Sequence, residues 1–219
     1  MPFPVLGYWE VRGLAQHIRS ILNYLGVEYE DRRYTFGAPP EYNLESWLAD
    51  KKRLGFTFPN VPYFIDDKIK ITESKAILKY VARTSGPQLV PTDPKTLIIL
   101  DEVEGVGSDL HRALVDVTYG RATYDSVKNS VEEKLSTLDE FLKRRKFVAG
   151  EQLTYIDFFL YEILYQFGKF GEVLEIEILK PYPSINKYIN RYEALPELKE
   201  SIEASANLKV HSPHATLLY

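Results

Sequence analysis

Along the first part of the chain, apolar residues switch between the unbroken or two-residue spacing of strands and the three-to-four-residue spacing of helices. Val5 to Trp9 is a short, mostly apolar run that predicts a buried strand, and Leu14, Ile18, Ile21, Leu22 and Leu25 then recur at helical spacing until Gly26 supplies a C-cap. Residues 28–34 predict a second strand. Pro39-Pro40 interrupts regular structure, so residues 35–41 are expected to form a surface loop, and Trp47, Leu48 and Leu54 indicate a short helix after it. Two apolar segments, Tyr63 to Ile65 and the alternating Ile69 and Ile71, flank Asp66-Asp67 and predict a hairpin. An amphipathic helix then starts at Thr72-Glu73-Ser74, which gives the order β-α-β, short helix, β-β-α.

Beyond about residue 92 only helical patterns occur. Ile99, Val103, Val106, Leu110, Leu114 and Val117 form one stripe, and Val127, Val131, Leu135, Leu138 and Leu142 a second, so two long helices are expected to pack as a pair. Thr154-Tyr155-Ile156-Asp157 opens a further helix as a variant capping box in which Asp157 replaces the usual Glu or Gln; losing such a cap costs about 0.5 to 2 kcal/mol. A last helix carries Ile185, Tyr188, Ile189, Tyr192 and Leu195, begins near Pro183 and stops at Pro196. Between the two grammars lies the Gly- and Pro-bearing stretch 86–91. The expected organisation is an α/β domain over 1–85, a linker over 86–91 and an all-helical domain over 92–219.

Composition narrows the function. With 219 residues, 45% of them hydrophobic, the chain can bury a sizeable core. A net charge of -4 with both signs interspersed makes no broad basic field, so neither nucleic acid nor an anionic membrane is an expected partner. No stretch is apolar enough for a membrane span, and Met1-Pro2-Phe3-Pro4 lacks the start of a signal peptide, which makes the cytosol the expected location. Zero cysteines exclude disulfides, thiolate metal sites and a cysteine nucleophile, so any thiol chemistry uses a thiol that arrives with the substrate. Lys143-Arg144-Arg145-Lys146 reads as cations in the last turn of a helix rather than a targeting patch. His211 and His214 stand near the tail without a carboxylate or thiol array, and no metal is expected there.

The segment 58–74 carries the clearest chemical signal. Pro62 cannot donate a ladder hydrogen bond, and a cis peptide bond there would leave the backbone of Val61 free to pair with a ligand. Thr72-Glu73-Ser74 gathers an acidic side chain, a hydroxyl and free N–H groups at a helix N-terminus, a corner suited to a carboxylate.

These motifs, taken in order, resemble the cytosolic glutathione transferases, specifically the mu class and its invertebrate relatives. The resembling stretches are Leu6-Gly7-Tyr8-Trp9 with Arg12-Gly13-Leu14-Ala15-Gln16, the proline-bearing loop ending in Trp47-Leu48, Phe58-Pro59-Asn60-Val61-Pro62-Tyr63, Thr72-Glu73-Ser74, and Thr154-Tyr155-Ile156-Asp157. The resemblance implies a thioredoxin-like α/β N-terminal domain, an all-α C-terminal domain, a homodimer, and glutathione as a co-substrate with no metal or tightly bound cofactor.

It also implies roles. Tyr8 matches the catalytic tyrosine that stabilises the glutathione thiolate; as one of 16 tyrosines it would otherwise read as a packed strand aromatic. Trp9, Lys51 and Trp47 are expected to hold the glycyl carboxylate through two indole N–H donors and an ammonium, although Trp47 also fits a residue covering the core. Asn60 should contact the peptide through its amide, Val61 should pair its backbone with the cysteinyl residue ahead of Pro62, and Ser74 should bind the γ-glutamyl carboxylate. Glu73 departs from the glutamine usual in the mu class and would face the γ-glutamyl ammonium; Leu44 stands where mammalian members tend to have arginine. Asp109 matches the aspartate that reaches across the dimer, and Phe58 the aromatic key inserted between partner helices. Val11, Leu14, Val115 and Tyr119 would line the electrophile pocket, with the C-terminal tail as a lid. Tyr119 could donate to charge developing on the electrophile or be a core tyrosine. Two rivals remain at this point: a sigma-like isomerase of prostanoid endoperoxides that recycles glutathione, and a non-catalytic carrier or structural protein of the same fold.

Overall fold

The computed structural model describes residues 3–219. The chain begins with β1 (Val5–Trp9), α1 (Gln16–Tyr24), β2 (Glu30–Tyr34) and α2 (Glu45–Lys51), then the hairpin β3 (Tyr63–Ile65) and β4 (Lys70–Thr72), and α3 (Ser74–Ser85). The four strands form one sheet in the order β2-β1-β3-β4, with β1 parallel to β2 and antiparallel to β3. Alternation along the strands splits the side chains between two cores. Leu6 and Phe64 face α1 and α3, while Val5, Tyr63 and Ile65 lie on the other side with Trp47 of α2. Gly7 is required where β1 crosses β3, because a Cβ there would fall 2.1 Å from the Tyr63 ring.

The rest is helical: α4 (Pro94–Thr118), α5 (Tyr124–Leu142), α6 (Tyr155–Leu174), α7 (Pro183–Glu193) and α8 (Lys199–Ser205). Asp93 caps α4, its Oδ2 accepting from the N–H of Thr96 at 2.9 Å, and Pro94 takes the first helical position where no N–H is needed. The expected pairing of α4 with α5 occurs, but α6 is the centre of the helical part, packing on α1, α4 and α7. Its first ten residues are all buried, which a helix apolar on every side requires. The α1, α3 and sheet residues join the α4 and α6 residues in one continuous core.

Asp157 does more than cap α6. Its carboxylate accepts from the N–H and hydroxyl of Thr154, each at 2.8 Å, from the N–H of Val148 at 2.9 Å and from the Tyr188 hydroxyl at 3.2 Å. Complete burial pushes its pKa up to about 6 even against those four donors.

Several boundaries differ from the sequence reading. β2 starts at Glu30 instead of residue 28. The 86–91 stretch holds a single 3-10 turn, Pro87–Leu89, and Leu89 is buried in the shared core, so the connection is packed against the body. The basic tetrapeptide lies just past α5, with Lys143 as C-cap, and Arg145 reaches back to the carbonyl of Phe141 at 3.3 Å. The chain does not end its helices at Pro196: a 3-10 turn, Pro196–Leu198, leads into α8, which is too short and too polar to leave a periodic signature. No helix among the described residues is long and apolar enough to cross a membrane.

Candidate functional site

Strand register brings the singled-out segments to one end of the sheet. Trp9 pairs with Tyr34, Gly7 with Tyr63, and Tyr63 with Thr72, so the carboxyl ends of β1, β2 and β4 meet the amino end of β3. From that edge emerge the Tyr8–Leu14 turn, the 35–44 loop, the Asn60-Val61-Pro62 segment and the start of α3. Residues far apart in sequence therefore share one rim because β1, β2 and β4 run toward it and β3 runs away from it.

Tyr8 lies at the centre of this rim, 8% exposed, with its hydroxyl oxygen accepting the backbone N–H of Leu14 at 3.1 Å. Burial raises the phenol above its ordinary value, partly offset by the Leu14 N–H, so the group stays protonated at neutral pH. An oxygen already accepting one hydrogen bond keeps its own O–H free to donate, and the bond it accepts makes that proton a better donor. Gly13 makes the arrangement possible. It adopts φ +39, and a Cβ there would stand 2.5 Å from the Tyr8 hydroxyl.

Beside Tyr8 is a cavity of about 250 Å³. One side is apolar, formed by Trp9, Val11, Phe36 and Leu44; the Trp9 and Phe36 rings stack at 4.5 Å. The polar part of the lining is formed by Tyr119 at the C-cap of α4 and by His211, Ser212 and His214 of the tail. Tyr119 and Ser212 join their hydroxyls at 3.0 Å, and His211 Nε2 meets the Tyr219 hydroxyl at 3.0 Å. Burial holds the His211 imidazole down at about 4, so that ring is neutral around pH 7.

The tail is seated by the turn that carries the site. The N–H groups of Arg12 and Gly13 donate to the carbonyls of Lys209 and Val210 at 2.8 and 2.9 Å. Beneath, the Arg12 guanidinium grips Glu162 of α6 through Nε at 3.1 Å and Nη2 at 2.7 Å, while Nη1 bonds the carbonyl and hydroxyl oxygens of Ser205. Both side chains of the pair are almost fully buried, and Tyr165 faces the guanidinium at 3.9 Å. Burial disfavours the charge on Arg12, but Glu162 outweighs it and raises the pKa, so the guanidinium keeps its charge.

The remaining candidate residues are placed as follows. Val11 and Tyr119 line the cavity; Leu14 contributes its backbone N–H while its side chain is 36% exposed, and Val115, half-buried on α4, is not among the lining residues. Trp47 packs its ring on Tyr63 in the cluster on the sheet's outer face, and Lys51 ends α2 half-buried. The peptide bond before Pro62 is cis, yet the Val61 N–H is not free: it donates to Asn60 Oδ1 at 2.9 Å, so a ligand pairing there must exchange that bond. Glu73 sits at φ 72 as the residue before α3, and Ser74 opens the helix. Asp109 stands away from the cavity and pairs with Lys134 at 3.0 Å, and Phe58 projects from its loop 72% exposed. Sequence reasoning missed Phe36, His211, Ser212 and His214 as cavity residues. They lie in segments with no hydrophobic period, and the histidines were read only as failed metal ligands.

Two family models match the chain: the glutathione S-transferase N-terminal domain over residues 4–83 and the glutathione S-transferase C-terminal domain over residues 108–205. Among curated proteins, the chain is 35% identical over 205 residues to glutathione S-transferase Mu 1 of Bos taurus, covering 92% of this chain and 91% of the relative. It is 36% identical over 216 residues to a glutathione S-transferase of Tyrophagus putrescentiae, covering 97% and 95%. The crystal structure of the glutathione S-transferase Blo t 8 superposes with a TM-score of 0.86 at 34% identity, over 98% of this chain and 100% of that one. The pi-class enzyme of Onchocerca volvulus, 23% identical with a TM-score of 0.80, shares the fold. The chain belongs to the glutathione S-transferase family, with mu-class members among its relatives.

Proposed function

We propose that this protein is a glutathione S-transferase in which the Tyr8 hydroxyl donates to the sulfur of bound glutathione, holds it as a thiolate, and lets it attack a small hydrophobic electrophile. The observation that carries the reading is the buried, protonated Tyr8 whose oxygen is already engaged by the Leu14 N–H at 3.1 Å beside a cavity of about 250 Å³. A thiol of pKa about 8.5 is only a few per cent ionised at neutral pH, and lowering it by about two units takes roughly 2.7 kcal/mol of preference for the anion. A hydrogen bond to a charged acceptor contributes about 1.5 to 3 kcal/mol, and a nearby helix N-terminus about 0.3 to 1. One tyrosine at the entry to α1 is sufficient.

In the reaction the thiol proton leaves to solvent, the sulfur forms a bond to the electrophilic carbon, and the displaced electron pair leaves with the leaving group or settles on an acceptor atom of the electrophile. We assign to Tyr119, which lines the cavity, a donor role toward that acceptor. Glutathione is consumed as co-substrate, and we assign no cofactor or metal. Trp9, Trp47, Lys51, Asn60, Val61, Glu73 and Ser74, around the same sheet end, are the residues we assign to its peptide. The exposed Phe58 and Asp109 are assigned to a homodimer interface, Asp109 exchanging its Lys134 partner for the neighbouring subunit's glutathione. The cytosol is the proposed location.

Conjugation of chlorodinitrobenzene tests the assignment. A wild-type rate equal to buffer with glutathione alone rejects the enzyme reading in favour of a carrier. Sedimentation of Phe58→Ser as a dimer indistinguishable from wild type would reject the interface role of that side chain.

A further inference from the structure

The loop between β2 and α2 bonds mainly to itself. Gly37 N–H donates to the Asn43 carbonyl at 2.9 Å and Tyr42 N–H to the Ala38 carbonyl at 3.0 Å, and Tyr42 adopts φ 44, a backbone region an aromatic residue seldom occupies. The loop is held to the body at one place by the Phe36–Trp9 stack. At another it meets the tail: His214 Nε2 donates to the Tyr42 carbonyl at 3.1 Å, and its ring stands edge-on to Phe36 and to Tyr42 at 6.0 and 5.9 Å. The tail is anchored separately: the Lys209 and Val210 carbonyls accept from Arg12 and Gly13, Ser212 meets the Tyr119 hydroxyl, and the N–H groups of Thr216 and Leu217 donate to the Thr118 carbonyl. His214 thus ties together two segments that have independent attachments.

What that tie separates is visible in the cavities. His214 lines the cavity of about 250 Å³ beside Tyr8, whereas Tyr42 lines a neighbouring cavity of about 350 Å³ on the other side of the tail. Val11, Phe36 and His211 line both. The His214–Tyr42 contact therefore has one partner on each cavity.

We propose that His214 is a specificity-determining clasp: by fastening the tail to the 35–44 loop it keeps the reaction cavity small, admitting short-chain and single-ring electrophiles and disfavouring two-ring ones. This rests on the transferase reading for its kinetic consequence, but the clasp itself is a property of the fold. One exposed imidazole on one carbonyl is a modest restraint, weak enough to open for exchange of substrate and product.

His214 is exposed and outside both cores, so His214→Ala is expected to fold. The test compares wild type, His214→Ala and His214→Gln, which keeps an N–H donor for the Tyr42 carbonyl, with chlorodinitrobenzene and a naphthylmethyl chloride. In His214→Ala the ratio of kcat/KM for the two-ring over the one-ring electrophile should rise about tenfold, chiefly through KM of the two-ring compound, with partial return in His214→Gln. Independently, deuterium exchange of the peptide covering residues 36–46 should quicken about three- to tenfold in His214→Ala while β3 is unaffected. Unchanged exchange overturns the clasp. Faster exchange with an unchanged ratio overturns its role in specificity. A wild-type protein that conjugates neither electrophile overturns the transferase reading instead, and the exchange measurement still decides whether the clasp exists.

Discussion

Replacing Tyr8 by phenylalanine deletes one oxygen from a site whose geometry states what that oxygen does. The ring is held by burial on the strand and by the adjoining turn, so the phenylalanine ring can occupy the same place, and glutathione, held by other residues, should bind nearly as tightly. The loss is confined to the thiolate. A charge-assisted hydrogen bond of about 1.5 to 3 kcal/mol corresponds to about one to two pH units in the pKa of the bound thiol. Below the wild-type thiol pKa both proteins titrate in parallel and the variant should be slower by about ten- to a hundredfold in kcat. Above the variant's own thiol pKa both are fully ionised and the gap should narrow. Ultraviolet thiolate absorbance of the binary complex across pH reads the shift directly, and kcat against pH reads its consequence. A thiol pKa identical in the two proteins, or a rate deficit that stays constant at every pH, would refute anion stabilisation by Tyr8 and point to a positional defect. The Leu14 N–H loses its acceptor in the variant, which should lower stability by about 1 kcal/mol in a urea melt.

Gly13→Ala should cost at least about tenfold in activity while leaving a folded protein, because the new Cβ at φ +39 would meet the Tyr8 hydroxyl at 2.5 Å and displace it; circular dichroism with a conjugation assay separates the two effects. Glu162→Gln should destabilise by about 3 to 5 kcal/mol in urea melts, since it leaves the Arg12 charge buried without its counter-ion, and a loss under 1 kcal/mol would show that the pair is not ionised. Stability should fall on acidification from pH 7 to pH 5. His17, His111 and His211 are held by burial at about 3, about 4 and about 4 in the folded protein, so the unfolded chain takes up protons first below about pH 6.5, and stability present above that pH is lost toward pH 4. Asp157, held at about 6, acts the other way, because its folded form is protonated first; the net loss at pH 5 should be about 4 kcal/mol, and an equal or greater stability at pH 5 would contradict these assignments.

The elements legible in the sequence are those whose burial is periodic. Ile18, Ile21 and Leu22 at helical spacing, the Tyr63 to Ile65 run before Asp66-Asp67, and the two long stripes of α4 and α5 each announce an element, since a helix or strand with one buried face must repeat apolar residues at its own period. The Thr154 to Asp157 cap was equally visible, because capping is a local matter of side chain and backbone. Tyr8 was singled out by its neighbours in order along the chain. Tertiary structure alone decided that Asp157 also binds Val148 and Tyr188, that Leu89 turns a linker into part of the core, that Arg12 meets Glu162, and that His211, Ser212 and His214 line one cavity with Trp9 and Phe36. Each of these is a contact between segments distant in sequence and set by strand direction and chain return. No local period encodes it, since the partner's position depends on where the whole chain has folded.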